Sequence, residues 1–248
     1  MAESELLTTC LLAGRIMIES GAEMYRVDDT MTRIAHNGGE AAAVVFTTPT
    51  GLFIGSEHSP LVKLGTIRKR TIDMEKVMRV NALSRRFAAG ECSLHELHEA
   101  LIGIDANTPT FPLWLQVVAA AVCSALLMVL FAQQNDWRDL PLAAVAGGAG
   151  FYAFAWLDRV TRVQFISSVA GAFVVAALAW LGVRIGIGRS LDNIIIGAVM
   201  PLVPGVAITN SIRDMLAGHL VSGMVRGMEA ILSAAAIGVG VAVIFRFF

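Results

Sequence analysis

Pro112-Leu-Trp-Leu-Gln-Val-Val-Ala-Ala-Ala-Val-Cys-Ser-Ala-Leu-Leu-Met-Val-Leu-Phe-Ala132 runs for 21 residues without one charged side chain. About 20 apolar residues in a helix are what the hydrocarbon core of a bilayer demands. Four more segments of this kind follow, at Leu140–Leu157, Val163–Leu181, Leu191–Ile208 and Met228–Phe245. The connections between the first four are short, so neighbouring helices are expected to run antiparallel. A buried bundle in a soluble protein is the alternative, but five such segments leave too little polar surface to coat a globule. The expected fold is an α-helical integral membrane protein with five transmembrane helices, multi-pass in a cell membrane (the inner membrane where there are two) and surrounded by the lipid bilayer.

Working outward, the chain is 56% hydrophobic and 16% charged, against about 45–50% and about 25% in an average soluble domain. The imbalance is one-sided. Before Thr108 lie eleven of the 19 Lys and Arg and fourteen of the 20 Asp and Glu, leaving −3 in front and +2 behind. Neither part is basic enough for a nucleic-acid partner. Two domains are expected: residues 1–107, an N-terminal cytosolic α+β domain, and residues 108–248, the transmembrane domain, joined by a linker from Asp105 to Phe111.

The front domain has its own periodicities. Ser4 to Ser20 places Leu6, Leu7, Cys10, Leu11, Met17 and Ile18 on one helical face. A second helix is expected over Ala22–Ala35, ended by Asn37-Gly38-Gly39. Ala42–Thr47 turns β-branched and aromatic, Thr48-Pro-Thr-Gly51 fits a type I turn, and Leu52–Ser56 returns as a partner strand. Leu61–Arg70 reads as a third strand. Asp73 is placed to cap a helix to Ala89, which Gly90 closes. Ser93-Leu-His-Glu96 is a capping box opening a last helix. The resulting sheet is small and antiparallel.

Loop charges do not orient the bundle. With the front domain inside, inner loops hold Arg159, Arg162, Arg213 and Arg226, and outer segments hold Arg138, Arg184, Arg189 and Arg246, an even split under the positive-inside rule. The front domain decides it. Met1-Ala-Glu-Ser-Glu5 is acidic, with no basic n-region and apolar stretch behind it, so no export signal is expected. Cys10, Cys92 and Cys123 are scattered, which suits small apolar filler in a reducing compartment better than a disulfide framework.

Chemistry concentrates between Asp192 and Glu229. Asp192 and Asn193 open the fourth span, and Pro201, Pro204 and Gly205 interrupt it. Proline removes its own N–H and frees a carbonyl one turn earlier. Such backbone at membrane depth is tolerated where it lines a cavity or is buried in protein; a plain kink is the simpler alternative. Thr209 to Asp214 is expected to form the loop that follows. In it, Arg213 can hold a carboxylate through a two-pronged hydrogen bond, Asn210 can bond the same ligand, and Asp214 can pair with an arginine or take a proton. A solvated loop or a structural anchor is the alternative. Asp192, Asp214, His219, Arg226 and Glu229 are the candidates for proton coupling or for lining the pathway. Gly147, Gly148, Gly150, Gly238 and Gly240 mark faces where helices come close, within the chain or against another subunit.

Pro201-Leu-Val-Pro204-Gly205, Thr209-Asn210-Ser-Ile-Arg213-Asp214, Gly218-His-Leu-Val-Ser222-Gly223 and Arg226-Gly-Met-Glu229-Ala230 closely resemble the threonine/serine exporter family. So does Gly21-Ala-Glu23-Met-Tyr25-Arg26-Val27-Asp28-Asp29-Thr30 at the front. The resemblance covers nearly the whole chain in two ordered blocks. It implies secondary export of small hydrophilic metabolites, either amino acids such as threonine and serine or dicarboxylates such as succinate. The family occurs as one fused chain and as a split pair, in which a larger subunit bearing the cytosolic domain works with a smaller membrane subunit. A chain stopping at Phe248, directly after the fifth span, looks like the larger half. Homo-oligomers remain compatible with this. The resemblance also marks Glu23, Arg26, Asp28 and Asp29, without giving their role. One position departs from the pattern: His219 stands where Asp is expected.

Other signals are weaker. His95 and His98 are three apart and do not make the H-E-x-x-H zinc motif, so no metal is expected. Arg68-Lys69-Arg70 suits a solvated strand end, or lipid head groups. Physics alone reads Glu23 as a complement to a helix dipole. A membrane-anchored hydrolase-like enzyme and a regulatory membrane subunit are the rival functions. The absence of a nucleophile elbow, P-loop or metal motif speaks against enzymatic work and against direct use of ATP. No cofactor is expected.

Overall fold

The computed structural model describes residues 2–57, 59–68, 70–107, 111–131 and 137–247. The chain divides into two units, one of Met1–Pro109 with Ala207–Gly227, the other of Thr110–Val206 with Met228–Phe248.

In the first unit, α1 (Ala2–Glu19) and α2 (Met24–Asn37) lie against a three-stranded antiparallel sheet, β1 (Ala43–Thr48), β2 (Gly51–Ser56) and β3 (Ser59–Thr66), in the order β1-β2-β3. α3 (Met74–Ala88) and α4 (Leu94–Asn107) complete it. The register pairs Phe46 with Phe53 and Phe53 with Leu64. Period-two alternation then sends Leu52 and Ile54 inward to Leu7, Ile16, Met17, Met31 and Ile34. Val44, Phe46, Phe53, Val62 and Leu64 stay exposed on the opposite face. Two caps form as the sequence predicts. Asp73 Oδ1 accepts the Lys76 N–H at 3.1 Å. Ser93 Oγ accepts the Glu96 N–H at 3.3 Å, while the Glu96 carboxylate accepts the Ser93 N–H at 2.7 Å.

Several boundaries differ from expectation. β3 ends at Thr66, so Arg68 and Arg70 lie beyond the strand, while Lys69 lies outside the described residues. Lys63 spends its charge within the fold, on the Ser4 hydroxyl at 2.9 Å. α4 continues through Asn107, taking Asp105 out of the linker; Thr108 to Thr110 lie outside the described residues. Asp105 is held there by Arg15 at 2.8 Å. α2 begins at Met24 rather than Ala22, because Gly21 at φ +85° turns the chain first.

The second unit holds α5 (Leu113–Phe131), α6 (Leu140–Thr161), α7 (Gln164–Arg184), α8 (Leu191–Val199) with a 3-10 turn (Met200–Leu202), and most of α10 (Leu220–Phe247). Among the described residues, four helices can each cross a membrane by length and composition. They become five if the broken pair Leu191–Leu202 and Gly205–Leu216 is one span. Small residues let the helices touch. A Cβ on Gly150 would sit 2.9 Å from the Gly171 carbonyl oxygen, and one on Gly240 would sit 2.4 Å from that of Val169. Gly147 and Gly148 likewise face α5, whereas nothing lies within 4 Å of a Cβ on Gly238. Asp139 is a structural acid the sequence did not announce. Fully buried, its carboxylate accepts the Arg189 and Ser190 N–H groups at 2.7 and 2.9 Å, fixing the approach to α8. Ser190 in turn caps α8 by accepting from Asn193 N.

The segment after Pro201 is the main correction. Val203 is extended (φ −67°, ψ 131°), and the chain then enters a new helix, α9 (Gly205–Leu216). Thr209 to Asp214 is therefore helical and not a loop. Pro204 forbids continuation of the preceding turn but is well tolerated just ahead of a helix start. The low helix propensity of Thr209-Asn210-Ser211 is overridden by tertiary bonds from two of these side chains.

Candidate functional site

Within the first unit, the turn between α1 and α2 meets α9 and the start of α10, and the four consecutive residues Gly21 to Met24 are each engaged by a polar side chain from α9 or α10. Asn210 Nδ2 donates to the Gly21 carbonyl at 2.9 Å. Arg226 Nη2 donates to the Ala22 carbonyl at 2.8 Å. Arg213 Nη1 donates to Glu23 Oε1 at 2.8 Å. The Met24 N–H donates to Asp214 Oδ1 at 2.8 Å. Local chain geometry explains why these groups are available. Gly21 and Ala22 follow the end of α1 and have no helical partners for their carbonyls. Met24 is the first residue of α2, where N–H groups lack intrahelical acceptors. Asp214 supplies that acceptor from 190 positions away, and its charge lies favourably at the positive end of α2.

Beneath these contacts lies an ion pair. Arg226 Nη1 is 3.3 Å from Asp214 Oδ2, with the two side chains 8% and 0% exposed. Above them lies a more open one. Glu23 presents Oε1 to Arg213 and Oε2 to Arg26 Nε at 3.1 Å. Glu23 is 10% exposed and Arg213 is 60% exposed. Glu23 stands at the N-terminus of α2, as the dipole reading expects, but makes no capping bond with its side chain and serves two guanidiniums as well.

A third pair flanks these. Gly218, at φ +90°, ends α9 in a left-handed turn, with His219 N donating to the Asp214 carbonyl at 2.9 Å. That turn sets His219 Nε2 3.7 Å from Asp28 Oδ2. Asp28 also accepts from the Thr47 hydroxyl at 2.6 Å, which ties the cluster to β1. Burial pushes the Asp28 carboxyl above the usual carboxylate range, against the opposing pull of Thr47 and His219. α9 and α10 approach closely enough for this because Ser211 and Gly223 are small. Ser211 Oγ donates to the Gly223 carbonyl at 2.7 Å, and a Cβ on Gly223 would fall 2.4 Å from Met215 Cγ.

Of the site residues read from the sequence, Asn210, Arg213, Asp214, His219, Arg226, Glu23, Arg26 and Asp28 fall in this one cluster. Asp29 instead holds Arg33 at 2.6 Å on the exposed side of α2. Asp192, Asn193, Pro201, Pro204, Gly205 and Glu229 belong to the second unit, with Asp192 and Asn193 in the first turn of α8. Thr47 and the carbonyls of Gly21 and Ala22 were not anticipated. Backbone groups carry no residue-type signal, though the two ordered motif blocks, far apart in sequence, already hinted at a meeting. His98 Nδ1 lies 2.9 Å from Thr9 Oγ1 across α1 and α4. Among the described residues no group of three or more metal-ligating side chains occurs.

A family model described as "Putative threonine/serine exporter" matches residues 8–248. A protein of Mycobacterium tuberculosis named "Probable threonine/serine exporter" is 22% identical over 246 residues, covering 98% of this chain and 46% of that protein. An uncharacterized protein of Schizosaccharomyces pombe is 24% identical over 246 residues, covering 92% of this chain and 31% of its own length. The chain thus spans less than half of either curated relative. No solved structure matches.

Proposed function

The chain belongs to the threonine/serine exporter family, and we propose that it is a subunit of a secondary exporter of small carboxylate-bearing metabolites, either threonine- and serine-like amino acids or dicarboxylates such as succinate. The observation that carries this reading is Arg213, a largely exposed guanidinium already ordered around a carboxylate, in a chain otherwise dominated by apolar helices. Both cargo classes bear a carboxylate, and the planar fork of arginine suits it.

Asn210, bonded to the Gly21 carbonyl, holds the turn beside Arg213; within the second unit, the break at Pro201 to Gly205 and the first turn of α8 with Asp192 and Asn193 are proposed to line a path of that unit's own. The Asp28–His219 pair is the better placed proton carrier, because the two groups face one another at 3.7 Å and are partly open to water. Asp214 and Arg226 hold one another and serve the architecture. Glu229 is left as a pathway residue at the second unit's edge. The domain carrying the sheet faces the cytosol of a cell in whose membrane the bundle sits. A smaller membrane partner completes the exporter, a reading supported by the greater length of both relatives.

The test is efflux of radiolabelled succinate and, separately, threonine from vesicles. Losing a charge-assisted hydrogen bond costs about 1.5–3 kcal/mol, so Arg213→Gln should weaken apparent cargo affinity about ten- to a hundredfold. Arg213→Lys should restore it only in part. Unchanged affinity in Arg213→Gln protein that still inserts makes Arg213 structural.

A further inference from the structure

The cluster has two halves of different character. Asp214 and Arg226 are sealed, at 0% and 8% exposure, whereas the Arg213 side chain is 60% exposed and meets Glu23 at its surface. Breaking the first leaves a buried charge alone. Breaking the second returns the Arg213 guanidinium to water and leaves Glu23, itself only 10% exposed, still paired with Arg26.

Three further observations set the Glu23 carboxylate apart from the architecture. α2 is begun by its backbone, because the Glu23 carbonyl accepts the N–H groups of Arg26 and Val27 at 3.1 and 3.2 Å while its side chain makes no cap bond. The junction to α9 and α10 does not depend on it, because Asn210, Asp214 and Arg226 hold Gly21, Ala22 and Met24 by their backbone. Its two carboxylate oxygens are taken by guanidiniums from two elements, Arg213 on α9 and Arg26 on α2. This is how a planar carboxylate ligand is gripped.

We propose that Glu23 is the resident occupant of the cargo-carboxylate site, and that cargo binds by exchange, its carboxylate replacing that of Glu23 between Arg213 and Arg26. The inference rests on the reading of Arg213 as the cargo contact. Exchange keeps both guanidiniums paired throughout, since one carboxylate leaves as another arrives. It also sets specificity. A ligand lacking a carboxylate gains nothing that Glu23 does not already supply, and is excluded. Glu23 thereby sets the apparent affinity of the site without touching the cargo in its bound position.

Exchange makes a prediction opposite in sign to a purely structural role. In the full chain, reconstituted with whatever partner wild type needs, concentration dependence of efflux is measured with radiolabelled succinate and with threonine. Removing the competitor by Glu23→Gln should lower the apparent KM by roughly two- to fivefold, the upper part of the span of a partly exposed ion pair. Glu23→Asp, one methylene too short to reach both arginines, should lower it less. The Glu23→Gln/Arg213→Gln double variant should bind as poorly as Arg213→Gln alone. An unchanged or raised KM in Glu23→Gln, with Arg213→Gln still impaired, overturns the exchange and leaves the cargo contact standing. If Glu23→Gln does not insert, Glu23→Asp decides by the same sign. If Arg213→Gln retains wild-type KM, the cargo reading falls and the exchange with it.

Discussion

Arg226→Met isolates the sealed half of the cluster. Methionine keeps most of the aliphatic length but removes the guanidinium that donates to the Ala22 carbonyl and faces Asp214. Asp214 is then a fully buried carboxylate with the Met24 N–H still on one oxygen and no cation on the other. Removing one partner of a buried pair costs about 3–5 kcal/mol, far more than the pair itself contributes. At about 2–4 °C per kcal/mol for a chain of this size, the melting temperature should fall by about 6–20 °C. The assay is thermal unfolding of purified protein in one detergent at one scan rate, since membrane proteins often unfold irreversibly. Asp214→Asn/Arg226→Met removes the orphan charge while keeping an acceptor for Met24, and should recover at least half of the loss. The reasoning is refuted if Arg226→Met melts within about 2 °C of wild type, less than 1 kcal/mol can produce. It is equally refuted if the double variant is no better than the single.

Gly223→Val forces a side chain against Met215 Cγ and the Ser211 carbonyl, where even a Cβ would sit 2.4 and 2.8 Å away. It should cost about 1–3 kcal/mol, read as less folded protein after solubilisation, whereas Gly238→Ala, with open space around it, should be silent. Asp28 carries a raised carboxyl, so its neutral form suits the fold. Its contribution is full below the unfolded carboxylate value near 3.8 and is lost as pH climbs through the higher folded value. Asp28→Asn should therefore flatten the fall of stability across that window, checked by melting temperature against pH; an unchanged slope contradicts it. A cysteine placed at exposed Glu57, in protein freed of Cys10, Cys92 and Cys123, should resist impermeant thiol reagents outside intact cells and react once cells are opened. Before that removal Cys10 should label slowest, being buried with its thiol pushed up to about 12.

Much of this arrangement was legible in side-chain pattern. The long apolar runs announced α5, α6, α7 and α10, and the Asp73 and Ser93 caps announced α3 and α4, because local chemistry decides both. What escaped was non-local. Thr209-Asn210-Ser211 reads as loop by propensity and folds as helix because Asn210 and Ser211 find partners on Gly21 and Gly223. Glu23 reads as a dipole complement from its neighbours on α2, and its pairing with Arg213, 190 residues away, is what local sequence does not show. From sequence, Arg213 itself reads as awaiting a ligand carboxylate or as a structural anchor. The fold gives it the carboxylate of Glu23 and gives Asp214 to Arg226. Which arginine meets which acid is fixed by the turn at Gly218 and the close approach of α9 to α10, and neither is written in local sequence.

The central claim is carboxylate export through Arg213, and one measurement meets it head-on. Proteoliposomes holding the chain, with and without the proposed smaller partner, are loaded with radiolabelled succinate or threonine and followed for efflux. Release of at least one of these cargoes is expected, dependent on the partner, with about ten- to a hundredfold more cargo needed for half-maximal rate in Arg213→Gln. If properly inserted protein releases neither cargo in any combination, or if Arg213→Gln matches wild type at every concentration, the claim is contradicted.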